Sequence, residues 1–116
     1  MEVTRYDEAP SYEAPRHHKC YGVRLQGFDV SKTCNFWMAI SHFLPGGGAT
    51  EGATPVEKVY CVLEGEMTII TPTGEATLGK YDSCYIAPNE ARSIENRSHF
   101  PASMLVVLPY PEPREL

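Results

Sequence analysis

GATPVEKVYCVLEGE, Gly52–Glu66, is the stretch on which the reading of the fold turns. It follows the loose run Pro45-Gly46-Gly47-Gly48, becomes a strand at about Glu57 and reverses at Glu64-Gly65. Successive side chains of a strand point to opposite faces. Lys58, Tyr60 and Val62 therefore share one face, and Cys61 lies on the other. A cation sits among groups suited to a core, with no histidine nearby.

Outward from this stretch the chain reads as strand after strand. Cys20–Gln26 alternates Tyr21, Val23 and Leu25 against Gly22, Arg24 and Gln26, the period of a half-buried strand. Thr33–Phe43 is apolar on both faces, as for a strand covered on both sides. Glu66–Thr71, Tyr81–Ala87, Arg92–Asn96 and Met104–Leu108 complete the set. Turns are expected at Thr71-Pro72-Thr73-Gly74, Leu78-Gly79-Lys80 and Pro88-Asn89. No segment combines helix caps with a 3.6-residue period. Many short, regularly spaced strands predict an all-β jelly-roll barrel whose interior holds side chains or one small ligand. Any function is expected at the open mouth, where the Pro45–Pro55 loop meets strand ends.

The 116 residues suit one domain. A net charge of −5 and the lack of any basic run argue against nucleic acid. No apolar window approaches the roughly 20 residues of a membrane span, and the start MEVTRYDEAP has neither a basic nor an apolar leader region. Cys20, Cys34, Cys61 and Cys84 form no close-spaced pair, so they read as free, mostly buried thiols of a cytoplasmic protein.

PGGGATEGATPVEKVYCVLEGE (Pro45–Glu66) followed by LGKYDSCYIAPNEARSIEN (Leu78–Asn96) resembles the two motifs of the cupin superfamily in its small, single-domain form. Gly65 matches the closing glycine of the first motif, after Tyr60-Cys61-Val62-Leu63-Glu64. Gly79 opens the second, Tyr85-Ile86-Ala87-Pro88 matches its centre, and Asn96 matches its closing asparagine. The resemblance spans residues 33–109 and implies a cupin-type barrel over 20–109. Residues 1–19 then form an extended arm and 110–116 a Pro-rich tail. In that family three histidines and a glutamate hold a metal; the matching positions here are Gly52, Thr54, Arg92 and Lys58. Lysine and arginine are donors with no free lone pair, so the resemblance implies no metal at the usual site and no cofactor. A relocated site using His42, Glu51 or a cysteine, or one drawing on His17 or His18, stays open, although adjacent His17 and His18 point to opposite faces of a strand.

If the alignment holds, Lys58 and Arg92 enter one cavity from facing strands. Two cations about 5 Å apart at an effective dielectric near ~20 repel by roughly 3 kcal/mol. Either Lys58 loses its proton, or an anion binds between them. Alternatively Arg92 pairs with Glu57, Glu90 or Glu95 while Lys58 snorkels to the mouth. The expected catalytic pair is Lys58 and Arg92, and the expected substrate-binding residues are Trp37, Phe43, Thr54, Tyr60, Tyr85 and Asn96. The ligand is a small anionic organic molecule. Three functions remain open: a metal-independent isomerase, lyase or decarboxylase acting on a small carboxylate, a non-catalytic sensing module, or a scaffold without a site. A homodimer is expected, since so small an all-β domain must cover its edges.

Overall fold

The computed structural model describes residues 1–112 and 114. In chain order its strands are β1 (Ser11–Tyr12), β2 (His17–Gln26), β3 (Phe36–Gly52), β4 (Lys58–Glu64), β5 (Met67–Thr71), β6 (Gly74–Leu78), β7 (Ser83–Ile86), β8 (Arg92–Glu95) and β9 (Ala102–Pro109). One 3-10 turn, Tyr6–Glu8, precedes them. All pairings are antiparallel, in the order β6-β5-β8-β3-β9-β4-β7, with β2 on the free side of β3 and β1 on β2. The sheet curls into a nearly closed jelly-roll barrel, the all-β architecture that the alternating pattern predicts.

Strand β3 is the spine. Its first half, Phe36–Phe43, pairs with β9, and its second half, from Gly48, pairs with β8, while β2 runs along its other edge. The run expected as a loop, Pro45–Pro55, is therefore strand as far as Gly52. The glycines make this possible rather than prevent it. A Cβ on Gly48 would collide with the carbonyl oxygen of Ile94, so only glycine lets β8 approach here. The short strand β6 is also absent from the sequence-based expectation, because all but one of its five residues are exposed and carry no apolar alternation.

Along β4 the alternation holds as expected: Lys58, Tyr60 and Val62 are buried, and the residues between them are not. Val62 belongs with Phe43, Met67, Ile69, Ile86, Ile94 and Met104 to one buried hydrophobic cluster, the packed end of the barrel. Asn96, expected to bind substrate, instead belongs to this packing. It is 2% exposed, and its amide donates to the Phe43 and Phe100 carbonyls while its Oδ1 accepts from Ser98. A buried amide must have its hydrogen bonds satisfied, and these leave none for a ligand. The four cysteines are free and half-buried rather than deeply buried. In the tail, Tyr110 is buried and Arg114 bonds the Ser31 and Phe28 carbonyls; residues 113, 115 and 116 lie outside the described part. No helix of the described residues is long and apolar enough to cross a membrane.

Gly48→Ala should destabilise the fold by about 1–3 kcal/mol through forced separation of β3 and β8. Gly79→Ala, where the nearest atom to a new Cβ is 3.7 Å away, should stay within roughly 0.5 kcal/mol. Urea unfolding of both variants checks this, and equal losses would contradict the packing described.

Candidate active site at the open end of the barrel

Opposite the packed end lies a cavity of about 440 Å³. Strands β3, β4, β8 and β9 supply Trp37, Ser41, Gly52, Lys58, Tyr60, Arg92 and an apolar floor, and Thr54 lies at the rim. The fourth wall is unexpected. Residues 12–17, read from sequence as an extended arm, run along the cavity because β1 pairs with β2 and β2 begins already at His17.

Lys58 opens β4 and is only 5% exposed. Among the described residues it makes no ion pair, and its pKa is pushed down, first by burial and then by the Arg92 charge. Arg92 opens β8 and faces Gly52 across the β3–β8 ladder. Two of the three carboxylates that the sequence offers as partners for it are engaged elsewhere. Glu95 pairs with Arg97, and Glu90 accepts from the Ala87 amide. Arg92 instead donates from Nε to the Tyr60 hydroxyl at 2.8 Å and from Nη1 to the Thr50 carbonyl at 3.2 Å. Both acceptors are neutral, and among the described residues no ion pair compensates its charge. Burial pushes the Tyr60 hydroxyl up, against the pull of Arg92, so it remains protonated at neutral pH.

His17, weighed from the sequence only as a possible metal ligand, was missed there as part of this cavity wall. Its Nδ1 lies 2.8 Å from the Pro15 carbonyl, which can only accept, so Nδ1 carries the proton and Nε2 keeps its lone pair. Burial lowers its pKa most; the Pro15 bond works the other way, and Arg92, His18 and Lys58 add to the lowering. The ring stacks on Phe43, with centroids 6.1 Å apart and 23° between planes. Arg16 was missed as well. Its backbone holds a left-handed φ of 64°, and its Nη1 donates to the Glu51 carbonyl at 3.1 Å. The one readable signal was the His17-His18 pair directly before the alternating Cys20–Gln26 run, which hinted that the strand starts earlier.

Of the expected site residues, Lys58, Arg92, Tyr60, Thr54 and Trp37 line this cavity. Phe43 does not; at 1% exposure it lies in the core, behind His17. Tyr85 does not either, because alternation along β7 turns it outward, 56% exposed, while Ile86 points in. Trp37 meets the edges of Tyr12 and Phe28, and all three rings surround the Arg24 guanidinium, 4.0 Å from the Phe28 centroid. Glu13 is the one carboxylate among the described lining residues.

The residues present do not fit the family's metal. Among the described residues no three of His, Cys, Asp or Glu converge on one point. Lys58 and Arg92 can only donate. His42 has both ring nitrogens engaged, by the Tyr6 hydroxyl at 2.8 Å and by Ser103 Oγ at 2.7 Å.

No family model matches the chain. It is 41% identical over 111 residues, 96% of each chain, to a Mycobacterium tuberculosis protein named Beta-D-galactosidase Rv1717. Among solved structures, it superposes with a TM-score of 0.83 on the polyketide cyclase RemF of Streptomyces resistomycificus, covering 100% of this chain and 85% of that one at 18% identity. An RmlC-like cupin from Shewanella frigidimarina gives 0.77, covering 94% and 90% at 14% identity.

The unfolded chain holds the Lys58 proton more tightly than the folded one, so stability should rise as pH climbs through the lowered value toward the ordinary lysine range. Lys58→Met should stabilise the protein at neutral pH by about 1–2 kcal/mol, since it removes an uncompensated buried charge. That gain should shrink as pH approaches the ordinary lysine pKa. Denaturant titrations across pH 7–10.5 check this, and a pH-independent difference would contradict it.

Proposed function

The chain belongs to the cupin superfamily, and from that premise we propose that the open end of its barrel is the active site of an enzyme that cleaves a galactose-type glycoside without the family's usual metal. One observation carries this reading. In a chain 41% identical to a protein named beta-D-galactosidase, a buried, uncompensated ammonium faces a cavity of sugar size walled by tryptophan. Cavities of this volume take one small ligand, and aromatic faces suit the apolar faces of a sugar ring.

Glycoside hydrolysis needs a proton for the leaving oxygen and an acceptor for the proton of the attacking water, roles usually filled by two carboxylates. Glu13 alone cannot fill both. In the proposed reaction Lys58 Nζ gives its proton to the glycosidic oxygen as the C1–O bond breaks and its electron pair passes to that oxygen. Water bonds to C1, and its proton passes to His17 Nε2. Exchange with solvent returns both groups to their starting states. A lysine with lowered proton affinity is a stronger acid than an ordinary one, and a neutral histidine is a competent base.

A second reading follows from the cations themselves. With neither Lys58 nor Arg92 in an ion pair among the described residues, the cavity also suits an isomerase or lyase that removes a proton next to a carboxylate, the charges stabilising the enolate and His17 accepting the proton.

Release of p-nitrophenol from its β-D-galactopyranoside tests the first reading. The rate should fall at low pH as His17 gains a proton and at high pH as Lys58 loses one, each limb lying below that residue's ordinary value. Lys58→Met should lower kcat by about 10²–10⁴ while the protein stays folded. No turnover by the native protein, or an unaffected variant, would remove the proposal.

A further inference from the structure

The mouth of the cavity holds a feature that neither proton transfer nor packing requires. At the register slip between Ala49 and Gly52, two consecutive carbonyls of β3 each accept from a guanidinium. Arg92 Nη1 binds the Thr50 oxygen, and Arg16 Nη1 binds the Glu51 oxygen. Two arginines from opposite sides of the mouth are thus anchored to one short piece of strand. Among the described residues, neither Nη2 has a hydrogen-bond partner.

Arg16 is placed there at a cost. A non-glycine residue at φ 64° is strained by roughly 1–2 kcal/mol. The structure fixes that conformation, since the Thr50 amide donates to the Arg16 carbonyl at 3.1 Å. The side chain lies close over the bare backbone of Gly52, where a Cβ would meet Arg16 Nη1. Gly52 is one of the positions where the family resemblance expects a histidine, and here a guanidinium occupies that space.

The charge balance then constrains the substrate. Arg16, Arg24, Lys58 and Arg92 line the cavity against Glu13 alone. Arg24 is spent on three aromatic faces. Cleavage of a glycoside builds positive charge on the sugar ring, which the other three cations oppose unless the substrate brings a negative group. A guanidinium fork matches the two oxygens of a carboxylate.

Resting on the glycoside reading above, we infer that the sugar carries a ring carboxylate, as a hexuronide does, held between the Nη2 groups of Arg16 and Arg92. The carboxylate supplies the missing counter-charge, and its distance from Lys58 sets which sugar bond lies beside the proton donor.

Paired p-nitrophenyl β-D-galacturonide and β-D-galactopyranoside assays test this, with calorimetry on free D-galacturonate and D-galactose. The galacturonide should be preferred in kcat/KM by about 10–100-fold, the range expected for charge-assisted hydrogen bonds. Arg16→Gln should erase that preference, Arg16→Lys should restore only part of it, and the exposed-site control Lys80→Gln should keep it. Cleavage of the galactoside with no preference for the galacturonide overturns the inference and leaves the glycosidase reading standing. Binding of galacturonate but not galactose, with neither glycoside cleaved, upholds the carboxylate clamp and overturns the cleavage reading. No binding and no cleavage overturns both.

Discussion

A buried ammonium next to a guanidinium, neither of them in an ion pair among the described residues, is the constraint on which the site depends. Lys58 enters the barrel because strand alternation from Tyr60 and Val62 sends it there, and those two residues are fixed by the core. Arg92 meets it because the β3–β8 ladder sets Arg92 opposite Gly52. Desolvation and mutual repulsion both act against the protonated lysine, so the fold sacrifices stability at this point. Such local sacrifice is common where a group must be poised for chemistry rather than for packing. The Tyr60 hydroxyl and the Thr50 carbonyl hold Arg92 in place without cancelling its charge.

The arm and strands β3, β4, β8 and β9 build the cavity, and β3 joins them. Its first half presents Trp37 and Ser41, and its end yields the carbonyls that anchor two arginines. The glycines along it decide what can approach: Gly48 admits the β8 backbone, and Gly52 admits the Arg16 side chain. Of the four positions that the sequence resemblance matches to metal ligands, two carry Lys58 and Arg92, whose positive charges oppose a bound cation.

Much of the architecture was legible because strand alternation is a local property. The inward set Lys58, Tyr60, Val62 and Ile94 follows from counting by two, and the turns follow from Gly and Pro. Where the reading failed, the deciding contact was remote in sequence. Pro45-Gly46-Gly47-Gly48 looks like a loop until the Ile94 carbonyl is seen to need the space. Tyr85 looked like a pocket wall by residue type, but its neighbour Ile86 takes the inward direction. Phe43 and Asn96 face inward as expected, yet at the packed end rather than the open one. The arm gave no periodic signal at all, since Glu13, Arg16 and His17 owe their positions to a two-residue strand and a left-handed turn. Half of the site was therefore invisible to pattern reading.

The site depends on the protonation of one side chain, Lys58, and nitrogen NMR of lysine-labelled protein reads it directly. The chain has four lysines, Lys19, Lys32, Lys58 and Lys80, so each Nζ signal can be assigned by substitution. The Lys58 signal should titrate distinctly below the ordinary lysine range, with a midpoint that rises when Arg92 is replaced by glutamine. A Lys58 signal that titrates within the ordinary lysine range, unmoved by the Arg92 substitution, would contradict the uncompensated site described.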